Sequence, residues 1–321
     1  MQRLDKPVLG LVLPCYNEEQ VLPLAAERLA AELAALVADD VVDASSYICF
    51  VDDGSSDRSW QIIEQLAAGD VRFRGLKLSR NYGHQYALYA GLMEADADAV
   101  ISLDADLQDD IGIIRRMVEL YREGNEIVYG VRENRDSDSA FKRGTARAHY
   151  WLLTRLGVAT VPDHADFRLM SRRALAFLGE YREYNLYLRG IVPLLGLPSA
   201  QVSYCRGERL AGETKYPLRK MLGLSLQGMT SFSILPLRII AMLGILVFLV
   251  ALGLGFWALA AALWGEGTTP GWASTVIPIY LLGGLQLLAI GVAGEYIGKT
   301  FMEAKGRPLY QVEKRLGMGG D

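Results

Sequence analysis

The sequence predicts an α/β domain with a mostly parallel sheet, followed by two membrane-spanning helices. Three observations carry that expectation. From Val8 to Val131, apolar runs of strand length alternate with amphipathic stretches of helical length. Polar clusters follow directly after those apolar runs, where open α/β sheets bind their ligands. Charged residues crowd the first two thirds of the chain, whereas Ile239–Trp264 and Val276–Gly294 contain no Asp, Glu, Lys or Arg.

The strand candidates are Val8–Leu13, Tyr47–Val51, Phe73–Leu78, Ala99–Leu103 and Glu126–Val131. Helix candidates lie between them at about Glu18–Val37, Asp57–Ala67, His84–Ala95 and Asp110–Glu123. This alternation is the pattern of βαβ units. The pattern then loosens into the mixed-charge segment Arg132–Arg143. A helix at Phe141–Leu156 and strands near Phe167–Met170 and Gln201–Tyr204 complete the domain, which is expected to span residues 1–215. Val8–Leu13 reads as a buried strand, because Glu18 and Glu19 stand where a signal peptide needs small residues.

Residues 216–232 read as an amphipathic helix at the membrane surface, with an ordinary core helix as the alternative. The two uncharged segments are each long enough to cross a hydrocarbon core of about 30 Å. They place spans at about 234–264 and 275–298, within a membrane region 233–301, and leave 302–321 as a tail. Arg219, Lys220 and Arg238 precede the uncharged stretch of the first span, Lys299, Lys305 and Arg307 follow the second span, and the loop Gly265–Ser274 has no Lys or Arg. Both termini and the α/β domain are therefore expected on the cytoplasmic side of the cell's inner membrane. Gly294 and Gly298 form a small-residue pair that suits close helix packing in a homo-oligomer.

Composition narrows the function. A net charge of −4 supplies no basic field for a nucleic-acid backbone. Cys15, Cys49 and Cys205 are odd in number and scattered, which fits neither a disulfide framework nor a zinc site. There is no Gly-x-x-x-x-Gly-Lys-Ser/Thr and no strand-to-helix Gly-x-Gly-x-x-Gly.

Four polar clusters remain. Pro14-Cys15-Tyr16-Asn17-Glu18 closes the first strand, and Asp52-Asp53-Gly54-Ser55-Ser56-Asp57 the second. A turn and a helix cap explain Gly54 to Asp57, but not Asp52 and Asp53. Carboxylates closing an apolar strand are costly to desolvate without a partner, and they suit a base N–H edge or ribose hydroxyls. Asp104-Ala105-Asp106-Leu107-Gln108 follows the fourth strand. Alternate oxygen ligands on an extended segment share a side, as a Mg²⁺ or Mn²⁺ ion bridging two phosphates requires. Last comes a basic group: Arg168 beside Asp166, then Arg206, Arg209 and Lys215 near the first span. Such a set suits a lipid phosphate, and its alternative is a solvated cytoplasmic face.

Several motifs together resemble a known family. They are Leu-Pro-Cys-Tyr-Asn-Glu-Glu at 13–19, Val-Asp-Asp-Gly-Ser-Ser-Asp at 51–57, Ser-Arg-Asn-Tyr-Gly-His-Gln at 79–85 and Asp-Ala-Asp-Leu-Gln-Asp at 104–109. Asp-Phe-Arg-Leu-Met-Ser-Arg at 166–172, Gly-Glu-Thr-Lys-Tyr at 212–216 and Gly-Glu-Tyr-Ile-Gly-Lys at 294–299 complete the set. The chain resembles family 2 glycosyltransferases of the GT-A fold. Within them it is similar to polyisoprenyl-phosphate glycosyltransferases such as undecaprenyl-phosphate glucosyltransferases, dolichol-phosphate mannose synthase and the undecaprenyl-phosphate aminoarabinose transferase. Asp110-Ile111 stands where that family often has two prolines, and Thr214 where it often has Ser.

The resemblance implies a GT-A, Rossmann-like domain. Pro14, Tyr16, Glu18, Asp52, Asp53, Ser79, Asn81 and Asp104 are expected to hold a nucleotide sugar. Asp106 and Gln108 are expected to hold the divalent cation, Asp104 and Asp166 to serve catalysis, and Arg168, Arg206, Arg209 and Lys215 to bind the acceptor phosphate. The implied reaction is inverting hexose transfer, with UDP-glucose as first choice, onto undecaprenyl phosphate for cell-envelope glycan modification. Mannose, galactose, N-acetylhexosamine and aminoarabinose are alternative sugars. A processive polysaccharide synthase fits less well, because Gln-x-x-Arg-Trp is absent and two spans enclose no polymer channel. A non-catalytic membrane scaffold is the reading from a different class.

Overall fold

A computed structural model describes residues 6–132, 164–204 and 271–318, with scattered helical positions between 237 and 253. The chain divides into two compact units. One comprises Met1–Arg155, Ala159–Lys220 and Arg307–Asp321, and the other Leu156–Val158 and Met221–Gly306.

The first unit is built on an eight-stranded sheet. Its strands are β1 (Leu9–Cys15), β2 (Tyr47–Asp52), β3 (Phe73–Leu78), β4 (Ala99–Ser102), β5 (Ile127–Arg132), β6 (His164–Ser171), β7 (Ser199–Tyr204) and β8 (Val312–Leu316). They lie in the order β7-β5-β6-β4-β1-β2-β3-β8. β4, β1, β2 and β3 are mutually parallel, so their carboxyl ends share one edge. β6 runs antiparallel to β4 and pairs Arg168 with Ser102, which brings its start to that same edge. β1, β2 and β4 are buried throughout, which is why they read as unbroken apolar runs.

Helices α1 (Leu22–Ala38), α2 (Ser59–Gly69), α3 (His84–Met93) and α4 (Ile114–Arg122) connect the strands, and α5 (Arg172–Leu178) and α6 (Leu188–Leu194) follow β6. On α1 the buried positions are Leu22, Ala25, Ala26, Leu29, Leu33 and Leu36, one face at helical spacing. Gly91 lets α3 lie close against the sheet. A Cβ there would come within 2.4 Å of Val12 Cγ1 and 2.7 Å of Val51 Cγ2.

Three elements depart from expectation. β1 continues through Pro14 to Cys15. Leu103 N donates to Val12 O, so that side of β1 faces β4, and Pro14 faces the same way beyond β4's last residue. No ladder bond is therefore lost to its missing N–H. α1 starts at Leu22 instead of Glu18, because residues 17–19 are tied to the loop after β2.

The tail is also not free. Val312–Leu316 forms β8, antiparallel to β3, with Leu76 opposite Arg315 and Lys77 opposite Lys314. Lys77 pairs with Glu313 at 3.0 Å, Arg315 reaches both oxygens of Glu94 at 3.1 Å, and Tyr310 packs edge-on against Tyr89. Its charged sequence hides it as a strand but suits a sheet edge. Removal of residues 307–321 is expected to uncover β3 and lower the unfolding midpoint of this unit. At about 2–4 °C per kcal/mol for a domain of this size, the shift is readable by thermal denaturation in detergent.

The second unit contains α7 (Trp272–Ala304), which covers the second expected span. Helical positions at 240–247 fall in the first, most of which lies outside the described residues, as do the expected helices at 141–156 and 216–232. Among the described residues, no helix is long and apolar enough to cross a membrane.

Candidate active site

The loops after β1 and β2 are sewn together. Asn17 adopts φ 55° and its Oδ1 accepts from Ser56 N at 2.8 Å, while its own N–H donates to Ser55 Oγ at 3.0 Å. Glu18 N donates to Ser59 Oγ, and Glu19 N to Asp57 Oδ2. Asn tolerates the left-handed backbone and offers a short acceptor, so it suits this junction. Pro14 is buried at the end of β1, Tyr16 is exposed and Glu18 is half-buried.

Asp52 is fully buried, and both its oxygens accept from Ser55 N at 3.3 Å. Asp53 is 3% exposed, and its oxygens accept from Tyr82 N at 2.7 Å and Gly83 N at 2.9 Å. Burial raises the carboxyl pKa of both. Asp53 was expected to hold the nucleotide sugar. Each of its oxygens accepts from the loop before α3, so Asp53 also positions that loop. Ser79 and Asn81 are exposed on the same loop. Gly54, at φ 67°, lets the loop approach, because a Cβ there would lie 2.5 Å from the Arg80 carbonyl carbon.

β4 delivers Asp104 to the shared edge. Leu107 takes φ 46°, and Gln108 N donates to Asp106 Oδ1 at 3.2 Å, which curls the segment after Asp104. Asp109 anchors it from below, accepting from Tyr204 OH at 2.5 Å and from Arg132 Nη2 at 3.2 Å. Asp104 is 36% exposed, Asp106 is half-buried and Gln108 is buried. Surrounding protein raises the Asp104 carboxyl. His84 opposes the shift, while Asp166, Asp109 and Asp106 add to it. Among the described residues, no three His, Cys, Asp or Glu side chains stand grouped as a metal site. The set Asp104, Asp106 and Gln108 has two carboxylates and an amide, hard oxygen donors with accumulated negative charge. That chemistry fits Mg²⁺ or Mn²⁺.

Asp166 is the hub. Arg168 Nη2 donates to its Oδ1 at 2.8 Å, Arg189 Nε to Oδ1 at 3.2 Å, and Arg189 Nη2 to Oδ2 at 3.1 Å. Gln85 Nε2 donates to Oδ2 at 3.3 Å, and His84 Nε2 lies 3.4 Å from Oδ2 and 3.7 Å from Asp104 Oδ1. Burial pushes the Asp166 carboxyl up, but Arg189, His84 and Arg168 outweigh it and hold it well below the usual range. The His84 imidazolium is correspondingly favoured: burial opposes its charge, yet Asp166 and Asp104 raise its pKa.

Arg168 was expected to meet the acceptor phosphate. It is fully buried and spent on Asp166 and on Leu188 O, with no surface to present to a ligand. Arg206, Arg209 and Lys215 lie outside the described residues.

The model of glycosyl transferase family 2 matches residues 11–191. The glycosyltransferase YkoT of Bacillus subtilis is 49% identical, over 96% of this chain and 92% of its own. This chain belongs to glycosyl transferase family 2. The prophage bactoprenol glucosyl transferase homolog of Escherichia coli is 37% identical to the transferase, over 95% of this chain and 98% of its own. Among solved structures, the mannosyltransferase PcManGT from Pyrobaculum calidifontis, in complex with GDP-Man and Mn²⁺, aligns with a TM-score of 0.49 at 14% identity. It covers 93% of this chain and 86% of its own, a likeness too loose to decide this chain's ligands.

Three residues around Asp166 have no role in the reading of the sequence. His84 and Gln85 were quoted in the Ser79–Gln85 motif, yet only Ser79 and Asn81 were assigned. Their place in the first turn of α3, after Gly83 at φ 101°, points them at Asp166. Arg189 stands among Leu188, Gly190, Ile191 and Val192, all buried on a short helix. A cation in such surroundings signals a buried partner, but pattern alone does not say which.

Proposed function

We propose that the transferase moves a hexose, glucose from UDP-glucose as first choice, onto undecaprenyl phosphate with inversion at the anomeric carbon. The observation that carries this is the meeting of the Asp104–Gln108 loop with the Asp166 hub at one edge of the sheet. His84 stands between Asp104 and Asp166. The loop proposed to hold the donor therefore adjoins two partly exposed cationic side chains, His84 and Arg189, which suit an anionic acceptor. The name of the E. coli relative supports a bactoprenol acceptor and a glucosyl group.

Pro14, Tyr16, Glu18, Asp52, Ser79, Asn81 and Asp104 are proposed to line the donor, with Asp53 behind them as the support of the Ser79–Gly83 loop. Asp106 and Gln108 are proposed to hold a divalent cation, which when bound neutralises charge on the departing diphosphate. Asp166, kept ionised by its partners, orients Arg189 and His84. Phosphate monoesters have a second pKa near ~6, so the attacking oxygen needs no strong base. Positioning supplies much of the remaining acceleration. Arg206, Arg209 and Lys215 are proposed as further contacts to the acceptor phosphate.

The second unit is proposed to span the membrane twice, at about 234–264 and 275–298, with both termini cytoplasmic. Met242, Ile245, Leu287, Ile290 and Ile297 each expose more than half of their surface, a cost in water that lipid removes. The test is a panel of nucleotide sugars with undecaprenyl phosphate, read by the mass of the extracted lipid. One hexose added from UDP-glucose, lost with chelator and restored by Mg²⁺ or Mn²⁺, is expected. No lipid-linked sugar from any donor, despite donor binding, would favour a non-catalytic scaffold.

A further inference from the structure

We propose that Arg189 anchors the acceptor phosphate through the edge of its guanidinium that Asp166 leaves free. The inference rests on the polyisoprenyl-phosphate reading above. Arg189 spends Nε and Nη2 on Asp166, and no described residue accepts a hydrogen bond from Nη1. Its side chain is 37% exposed, whereas Arg168 on the same carboxylate is 0% exposed. Asp166 is thus charge-balanced from the inside by Arg168. The positive charge of Arg189 remains toward the accessible side, next to His84.

The anchor is held in place before any ligand arrives. Gln85 donates through Nε2 to Asp166 and accepts Leu188 N at Oε1, 3.1 Å away, which fixes the start of α6 just before Arg189. A planar guanidinium with one edge on a carboxylate can present its other donors to a phosphate oxygen, and such charge-assisted contacts are strong. An ammonium has no second edge. Preorganisation also lowers the entropy lost when the ligand binds. The same chemistry would suit a diphosphate of the donor, so the two substrates must be varied separately.

The experiment uses the full chain purified in detergent, with undecaprenyl phosphate in mixed micelles and the donor identified by the panel. For Arg189→Lys, the KM for undecaprenyl phosphate is expected to rise about tenfold or more, the scale of one hydrogen bond to a charged group. The KM for the nucleotide sugar should stay within about twofold. A rise confined to the donor KM would reassign Arg189 to the diphosphate and overturn the proposal. So would a fall in kcat with both KM values unchanged, since Arg189 would then act only through Asp166. Arg189→Gln is read in the same way if the lysine variant does not fold, and failure of both to fold makes the residue structural and overturns the proposal. If wild-type protein makes no lipid-linked sugar, the proposed function itself fails. If it does, and the acceptor KM is unmoved, only the role of Arg189 fails.

Discussion

Asp106→Ala lowers sugar transfer by about 10²- to 10³-fold or more, the scale of losing a group that stabilises developing charge, while the chain stays folded. Asp106 is half-buried in a loop after β4, and its local bond to Gln108 N is dispensable to the sheet. Its proposed work is to hold a cation against the departing diphosphate, a demand that arises in the transition state. The loss should therefore appear in kcat more than in the KM for the lipid. Transfer by radiolabelled sugar into organic-soluble lipid measures it, with thermal unfolding as the control for folding. Full activity of this variant in the presence of chelator would remove the metal from the mechanism.

Asp166→Ala acts on fold and chemistry together. Arg168 is fully buried, and Asp166 is its only carboxylate partner among the described residues. Removing one partner of a buried ion pair costs roughly 3–5 kcal/mol because the other charge is left uncompensated. The unfolding midpoint should fall accordingly, and transfer should be lost as Arg189, His84 and Gln85 lose the group that orients them. Adding Arg168→Met to Asp166→Ala removes the stranded charge, so stability should recover in part and activity should not. Recovery of both would make Asp166 a purely structural residue. The pH dependence follows from the depressed carboxyl pKa in the folded protein. The pair's contribution is complete above the unfolded value of about 3.9. It is lost only as pH falls below that, toward the folded value, and neutral-pH activity does not reflect protonation of this group.

Local patterns placed most of the parallel core. Strands β1 to β4 and the helices between them appear where apolar periodicity put them, with boundaries shifted by a few residues. Two of the shifts have a tertiary cause: α1 begins late because Asn17, Glu18 and Glu19 bond to the second loop, and β1 runs on because β4 ends before Pro14. β8 was not legible, since five residues reading Val-Glu-Lys-Arg-Leu resemble a solvated tail until β3 is beside them.

The site divides along the same line. Asp104, Asp106 and Gln108 were recognisable because their spacing lies within one short segment, and spacing is a property of sequence. The contacts of Asp53, Arg168 and Arg189 were not legible, because side-chain direction and burial depend on segments far apart in the chain. Asp53 is taken up by residues 29 and 30 positions away, and Arg189 finds Asp166 across 23. The sequence by itself determined the alternating α/β order, the acidic loop after the fourth strand and membership in a transferase family. Only the tertiary structure decided which cation is sealed inside and which one stays accessible. Burial reverses the cost of a charge, and burial is settled only when the β6 carboxylate, α3 and α6 are packed together.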